Sequence, residues 1–227
     1  MKNFLLNPFF LTIFIMVTGS LVTSAALGAY TKNLHINYDA QLNSIEQAIE
    51  DTVAETAEIK AVNEEYAKIL EIKNMIAKMA GTKFTDEELL HFSTSVANAA
   101  NDYNIEPALI AAIIATESSF RNNAVSHKGA IGLMQLLPST AFYISDKTKY
   151  SGFNNESQLF DTETNIRLGV SYLAYLIEKT GSVEHAVIAY NYGPVNLKRA
   201  LNNNKALPQN YVRTVMKNYN KAKTYLS

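Results

Sequence analysis

Apolar positions recur along this chain with two different rhythms. Between Phe9 and Ala29 they are nearly continuous, and no charged residue falls between Lys2 and Lys32. Further on they thin to a stripe, with Leu42, Ile45, Ile49, Val53, Ile59, Val62, Tyr66, Ile69, Ile72 and Ile76 returning at spacings of three, four and six. Such spacing marks one face of a helix. With no Gly or Pro inside it, the stripe predicts a long helix over 39–79, closed by Gly81. Next, Thr85-Asp86-Glu87-Glu88 reads as a capping box opening a helix over 86–103. Pro107 suits the first turn of a helix that reaches about Ser119. Residues 121–137, broken by Asn122-Asn123, Gly129 and Gly132, read as a loop. Pro138-Ser139-Thr140 opens a short helix, 162–179 stops at Gly181, Ser182 caps 183–191, and the Gly193-Pro194 turn precedes helices over 195–203 and 209–225. Nothing reads as a hairpin. The fold class is all-α, with at most a small extended piece near 125–135.

These segments divide the chain into 1–32, 33–81 and 82–227. The first is a signal peptide or a membrane anchor. A bilayer span needs about 20 apolar residues and a signal core about 7–15, and both readings fit. Lys2 is a thin positive start, and Ser24-Ala25-Ala26 and Ala26-Leu27-Gly28 each offer small residues for cleavage. Either reading exports everything after residue 32, membrane-anchored or free outside the membrane. The spacer is acidic in its middle, with Glu46, Glu50, Asp51, Glu55, Glu58, Glu64, Glu65 and Glu71 against Lys60 and Lys68. It suits a coiled-coil stalk that pairs two chains through 39–79, or a solvated helix packed on the domain behind it. Thr56 and Asn63 interrupt a strict heptad and favour the second.

Composition then removes several function classes. A net charge of −1 gives no electrostatic case for nucleic acid. With no cysteine in 227 residues, disulfides, thiolate metal sites and a cysteine nucleophile are excluded. His35, His91, His127 and His185 are scattered without metal-ligand spacing. Neither a metal nor a cofactor is expected.

One carboxylate stands out by its setting. Glu117 follows Ala108-Leu109-Ile110-Ala111-Ala112-Ile113-Ile114-Ala115, where burial disfavours the ionised form and keeps a proton available near neutrality. A general acid acting on a glycosidic oxygen needs that property. A solvent-exposed glutamate at a helix end is the ordinary alternative. The loop that follows carries two glycines for close backbone approach, Gln135 with an amide suited to sugar hydroxyl and acetamide groups, and Met134 as an adaptable apolar contact.

Glu117-Ser118-x-Phe120, followed by Ala124-x-Ser126-x-x-Gly129-Ala130-x-Gly132-Leu133-Met134-Gln135-Leu136-x-Pro138-x-Thr140-Ala141, closely resembles the soluble-lytic-transglycosylase family. Ile105-Glu106-Pro107-x-Leu109 upstream is similar to the family's entry to its catalytic helix. Asn165-Ile166-x-x-Gly169-x-x-Tyr172-Leu173 and Ala189-Tyr190-Asn191-x-Gly193 follow in the family's order. The resemblance spans about 85–220 and implies a lysozyme-like, goose-type helical domain acting on peptidoglycan. It implies that Glu117 is the sole catalytic acid/base, and that Ser126 and Gln135 line the site. Met134 would shape the cleft. Tyr190 would reach the substrate or Glu117, Asn191 would support its loop, and Tyr211 aligns with the Tyr-Val of the last motif. Tyr143 and Tyr192 are further candidates for facing sugar rings. The variable positions His127 and Lys128 read as solvent-exposed.

Two departures stand out. The family's Glu-Thr pair before that last Tyr-Val is missing from Leu207-Pro208-Gln209-Asn210-Tyr211-Val212, and Asp161-Thr162 stands where Asp-Pro is usual. The first puts local support of the cleft in doubt. The resemblance implies cleavage between N-acetylmuramic acid and N-acetylglucosamine with closure of a 1,6-anhydro ring. A lysozyme-type hydrolase and a weakly catalytic glycan-binding assembly protein are the alternatives.

Overall fold

The computed structural model describes residues 8–82, 84–148, 150 and 152–226, with side chains from residue 12 onward. Lys2 lies outside the described residues. The chain divides into two compact units, residues 1–62 and 63–227.

In the first unit every described residue is helical and belongs to α1 (Pro8–Ala80). Its apolar side chains face outward; Phe14 is 66% exposed and Val53 61%. The hydroxyls of Thr18 and Thr23 donate to the carbonyls of Phe14 (2.7 Å) and Gly19 (2.9 Å). The helix therefore satisfies its own polar side chains within an otherwise apolar stretch.

The second unit opens with the remaining residues of α1. Here Ile72, Met75, Ile76 and Ala80 enter the core. Gly81, at φ +71°, ends the helix and donates its N–H to Ala77 O at 2.9 Å, as a C-terminal glycine should. Helix α2 (Asp86–Tyr103) begins at the expected capping box: Thr85 N–H donates to Glu88 Oε2 at 2.8 Å, and Glu88 N–H to Thr85 Oγ1 at 3.2 Å.

Helix α3 (Pro107–Glu117) is the centre of the unit, with every residue from Ala108 to Ile114 buried. Its sequence has no polar face because other helices surround it. Fully burying each of Ile110, Ile113 and Ile114 contributes about 1.5–3 kcal/mol relative to exposure. Helix α3 packs against α2; α4 (Pro138–Thr148) rests on α5 (Thr162–Thr180), α5 on α2 and on α6 (Val183–Tyr192), α7 (Pro194–Asn202) on α6, and α8 (Asn210–Lys223) lies directly against α3. Asp161 caps α5 by accepting the Thr164 N–H at 2.8 Å. Thr162 is then the first helical residue, a position whose N–H has no partner inside the helix, so the family's proline is dispensable there.

Helix α8 is laced across α3. Asn218 Nδ2 donates to Thr116 Oγ1 at 3.0 Å, and the Tyr219 hydroxyl donates to Glu106 Oε2 at 2.7 Å. Lys223 Nζ reaches the same oxygen at 3.3 Å. Among the described residues, the rest of the regular structure is a short 3-10 turn, Glu156–Phe160, and two isolated β-bridges, Val125 to Ile131 and Ile131 to Leu136. The chain thus has the all-α class, with an extended piece inside 125–136.

A smaller apolar cluster of Ile131, Leu136, Ala141, Ile144, Phe153, Leu159 and Leu168 fixes the loop ahead of α4. The loop is also keyed into α5 through Gly169. A Cβ there would collide with the Met134 side chain. Gly169→Ala should therefore destabilise the protein by about 1–3 kcal/mol of overpacking, more than the helical preference for alanine returns. Thermal melting checks this, and an unchanged midpoint would mean that Met134 yields freely.

Candidate active site

Glu117 is the last residue of α3, at the helix end where negative charge is least favoured. The chain then turns sharply. Ser119 and Phe120 both adopt left-handed backbone, at φ 52° and 61°. For residues with a side chain this costs about 1–2 kcal/mol each. Phe120 offsets that cost by burial, with its ring edge-on to Phe92 at 6.0 Å. The turn leaves Glu117 half-buried at the wall of an open cleft of about 940 Å³.

Burial of the Glu117 carboxyl pushes its pKa above the ordinary glutamate range, and a hydrogen bond from Tyr211 works in the opposite direction. That bond is short, 2.6 Å from the Tyr211 hydroxyl to Glu117 Oε1. Tyr211 itself is driven well above the usual phenol range, first by burial and then by the Glu117 charge. It therefore stays a donor. Where the family's Glu-Thr pair is absent, a phenol from the first turn of α8 holds the acid in place.

Ser126 and Gln135 line the same cleft as Glu117. Both are shaped by the loop. The Ser126 hydroxyl accepts the N–H groups of Ala130 (3.0 Å) and Lys128 (3.3 Å), which leaves its own proton to donate. Gln135 sits at φ 50° and donates both amide hydrogens inward, to Ala124 O at 3.1 Å and Gly132 O at 2.9 Å. Its remaining chemistry is that of an acceptor. Met134 is fully buried and supports the loop from beneath.

Tyr190 lies behind the cleft. Its hydroxyl donates to the Met134 carbonyl at 3.0 Å rather than to Glu117. Burial, and then the charge of Glu117, hold its phenol well above the usual range. Asn191 is exposed near the end of α6. Tyr143 pairs its hydroxyl with that of Tyr175 at 2.9 Å, and Tyr192 is 41% exposed; neither is among the residues lining the cleft around Glu117. His127 and Lys128 are exposed, as expected. Among the described residues, no three His, Asp or Glu side chains gather as a metal site would require.

Three contributors escape a reading by motif roles alone. Arg121 and Asn122 line the cleft beside Glu117. Asn165 is fully buried on α5 and pins the loop three ways: its Oδ1 accepts the Met134 N–H at 2.8 Å, and its Nδ2 donates to Ile131 O (3.0 Å) and Leu159 O (2.8 Å). Gly132 makes room for that amide, since a Cβ there would collide with it. The signal for Asn165 was an amide placed in an apolar helical stripe, where only internal bonding makes burial tolerable.

Residues 94–213 match the Transglycosylase SLT domain family. The match covers more than half of the chain, and the protein belongs to that family. Among curated relatives, the membrane-bound lytic murein transglycosylase C of Edwardsiella ictaluri (strain 93-146) is 38% identical over 138 residues. That alignment covers 56% of this chain and 38% of the relative, so the chain spans well under half of that protein's length. The lytic transglycosylase Slt of Pseudomonas aeruginosa, solved as an inactive mutant, is 28% identical over 66% of this chain and 25% of its own, with a TM-score of 0.46. The 70-kDa soluble lytic transglycosylase in complex with bulgecin A is 27% identical over 60% of this chain and 23% of its own, with a TM-score of 0.49.

Proposed function

We propose that this protein is a peptidoglycan lytic transglycosylase with Glu117 as its single acid/base. The observation that carries the reading is the half-buried Glu117 carboxyl, protonated more readily than an ordinary glutamate and held by Tyr211 in a cleft lined by Ser126 and Gln135. Membership of the SLT family and the name of the curated relative support the substrate.

In the first step the Glu117 proton passes to the oxygen between N-acetylmuramic acid and N-acetylglucosamine. The C1–O4 bond breaks and the leaving sugar departs with a new hydroxyl. The muramoyl C1 becomes electron-poor and is stabilised by the neighbouring N-acetyl group. Glu117, now a carboxylate, takes the proton of the C6 hydroxyl, and O6 bonds to C1 to close the 1,6-anhydro ring. The proton balance returns Glu117 to its starting form and consumes no water. Hydrolysing glycosidases generally need two carboxylates at defined separation. One suffices here because the substrate supplies the nucleophile. An acid with a raised pKa serves both halves, since it neither binds nor releases its proton too firmly.

The test is the mass of muropeptides released from purified peptidoglycan. The reading expects 1,6-anhydro ends, lighter by one water than reducing ends; reducing ends would make the protein a hydrolase.

Tyr211 would tune this acid. Tyr211→Phe removes the bond that lowers the Glu117 pKa, so that pKa should rise further and the alkaline limb of the pH–rate profile should move to higher pH. Loss of positioning should lower kcat roughly tenfold, equivalent to about 1.4 kcal/mol. A profile unmoved by the substitution would deny Tyr211 this role.

The N-terminal segment supports delivery to the envelope. Phe9–Ala29 is 21 residues long and, as helix, about 31 Å, matching the apolar thickness of a bilayer at about 30 Å. It exceeds a signal core of about 7–15 residues, which favours a retained anchor over a cleaved leader. The curated relative is itself named membrane-bound. Fractionation of a C-terminally tagged chain tests this: recovery in soluble form, shortened at the N-terminus, would sink the anchor.

A further inference from the structure

Besides Glu117, Ser126 and Gln135, the cleft is lined by Phe84, Glu88 and residues 120–125, which the cleavage reaction does not use. Its charged lining is Glu88, Glu117 and Arg121. Glu88 is already held by the Thr85 backbone N–H, which keeps its carboxyl below the usual range. Arg121 is thus the cation of this cleft among the described residues. It is also exposed.

The guanidinium is oriented by its neighbours. The left-handed turn at Ser119 and Phe120 folds Arg121 back on Ser118, the residue after the acid. The Ser118 carbonyl accepts both the Arg121 backbone N–H, at 3.2 Å, and its side-chain Nε–H, at 3.0 Å. With Nε engaged, the edge formed by the two Nη groups remains. Among the described residues that edge has no hydrogen-bonding or ionic partner. A planar fork fixed at its base and open at its tip is suited to a carboxylate.

The glycan supplies no such group. Its sugars are neutral, and the lactyl acid of each muramoyl unit is tied up as an amide wherever a peptide is attached. The carboxylates of the polymer belong to those peptides. We propose that Arg121 binds a carboxylate of the stem peptide beside the cleavage point, and so makes peptide-bearing strands the preferred substrate. The inference rests on the peptidoglycan reading above.

The experiment compares native peptidoglycan strands with strands whose peptide carboxylates have been chemically converted to amides. Wild-type protein and Arg121→Gln are assayed on both, with melting curves to establish that the variant folds. On native strands Arg121→Gln should raise KM about tenfold with kcat little changed, the pattern of a lost binding contact. On amidated strands the two proteins should have the same KM. Arg121→Lys should recover part of the loss, as a point charge without the fork. An equal KM increase on both substrates, or none on native strands, would overturn the role of Arg121. Wild-type protein that cleaves neither substrate would instead defeat the peptidoglycan reading itself.

Discussion

Glu117→Gln is expected to lose glycan-cleaving activity by roughly 10³-fold, inside the range of about 10²–10⁴ that a positioned acid/base contributes. Glutamine keeps the size of the side chain and an oxygen that accepts the Tyr211 hydroxyl, now 2.6 Å from Glu117 Oε1. It cannot give a proton to the leaving oxygen or take one from the C6 hydroxyl. Substrate affinity should therefore survive while kcat collapses, separating chemistry from binding. The same substitution should stabilise the protein at neutral pH. The Glu117 pKa is raised in the folded state, so this group favours folding most when protonated and loses that contribution as pH rises through its folded pKa. Replacing it with a neutral amide removes the cost of a buried charge. The paired signature is an inactive enzyme with a higher melting midpoint near pH 7, the difference narrowing in acid. Undiminished release of muropeptides by the variant would remove Glu117 from the mechanism.

The largest structural effect should come from Asn165→Ala. The substitution strands the Met134 N–H and takes a donor from the carbonyls of Leu159 and Ile131, of which Ile131 O keeps only the Leu136 N–H at 3.1 Å. Each buried polar group left without a partner costs about 1–3 kcal/mol. A loss of about 3–5 kcal/mol follows, against a total stability of about 5–15 kcal/mol for a typical domain. Activity should fall with it, because Gln135 and the Met134 carbonyl that receives Tyr190 sit on the strand of loop that Asn165 fixes. Asn165→Asp is the sharper variant. It retains an acceptor for Met134 but loses both donors and introduces a buried charge, so it should be at least as unstable as alanine. Denaturant unfolding of the two variants checks the argument, and a midpoint equal to wild type in either would refute it.

Much of the fold could be read directly because its signals are local. Thr85 with Glu88, Pro107, Ser182 and Gly81 each mark a helix end by chemistry confined to one turn, and each end falls there. The 3-10 turn at Glu156–Phe160 escaped because five residues carry no period. The site divides in the same way. Glu117, Ser126 and Gln135, which the family resemblance assigns to one site, line one cleft. What spacing could not supply were the partners of individual hydroxyls. Tyr211 and Glu117 are 94 positions apart, and Tyr190 and Met134 are 56 apart. Such pairings are set by how α8 and α6 pack on the rest of the unit. Tyr211 itself was marked by the Tyr-Val of the last motif, but its bond to Glu117, which holds the carboxyl where the Glu-Thr pair is missing, was not.

The lacing of α8 over α3 also has a consequence for biosynthesis. A chain made from its N-terminus completes α3 long before α8 exists, and domains take shape as they emerge. Until α8 docks, Glu117 lacks the Tyr211 hydroxyl that holds its carboxyl. The nascent polypeptide thus carries an acid that is not yet primed. On the reading proposed above, competence to cut a polymer on which the cell depends would arrive only with α8, after the helices before it have been assembled.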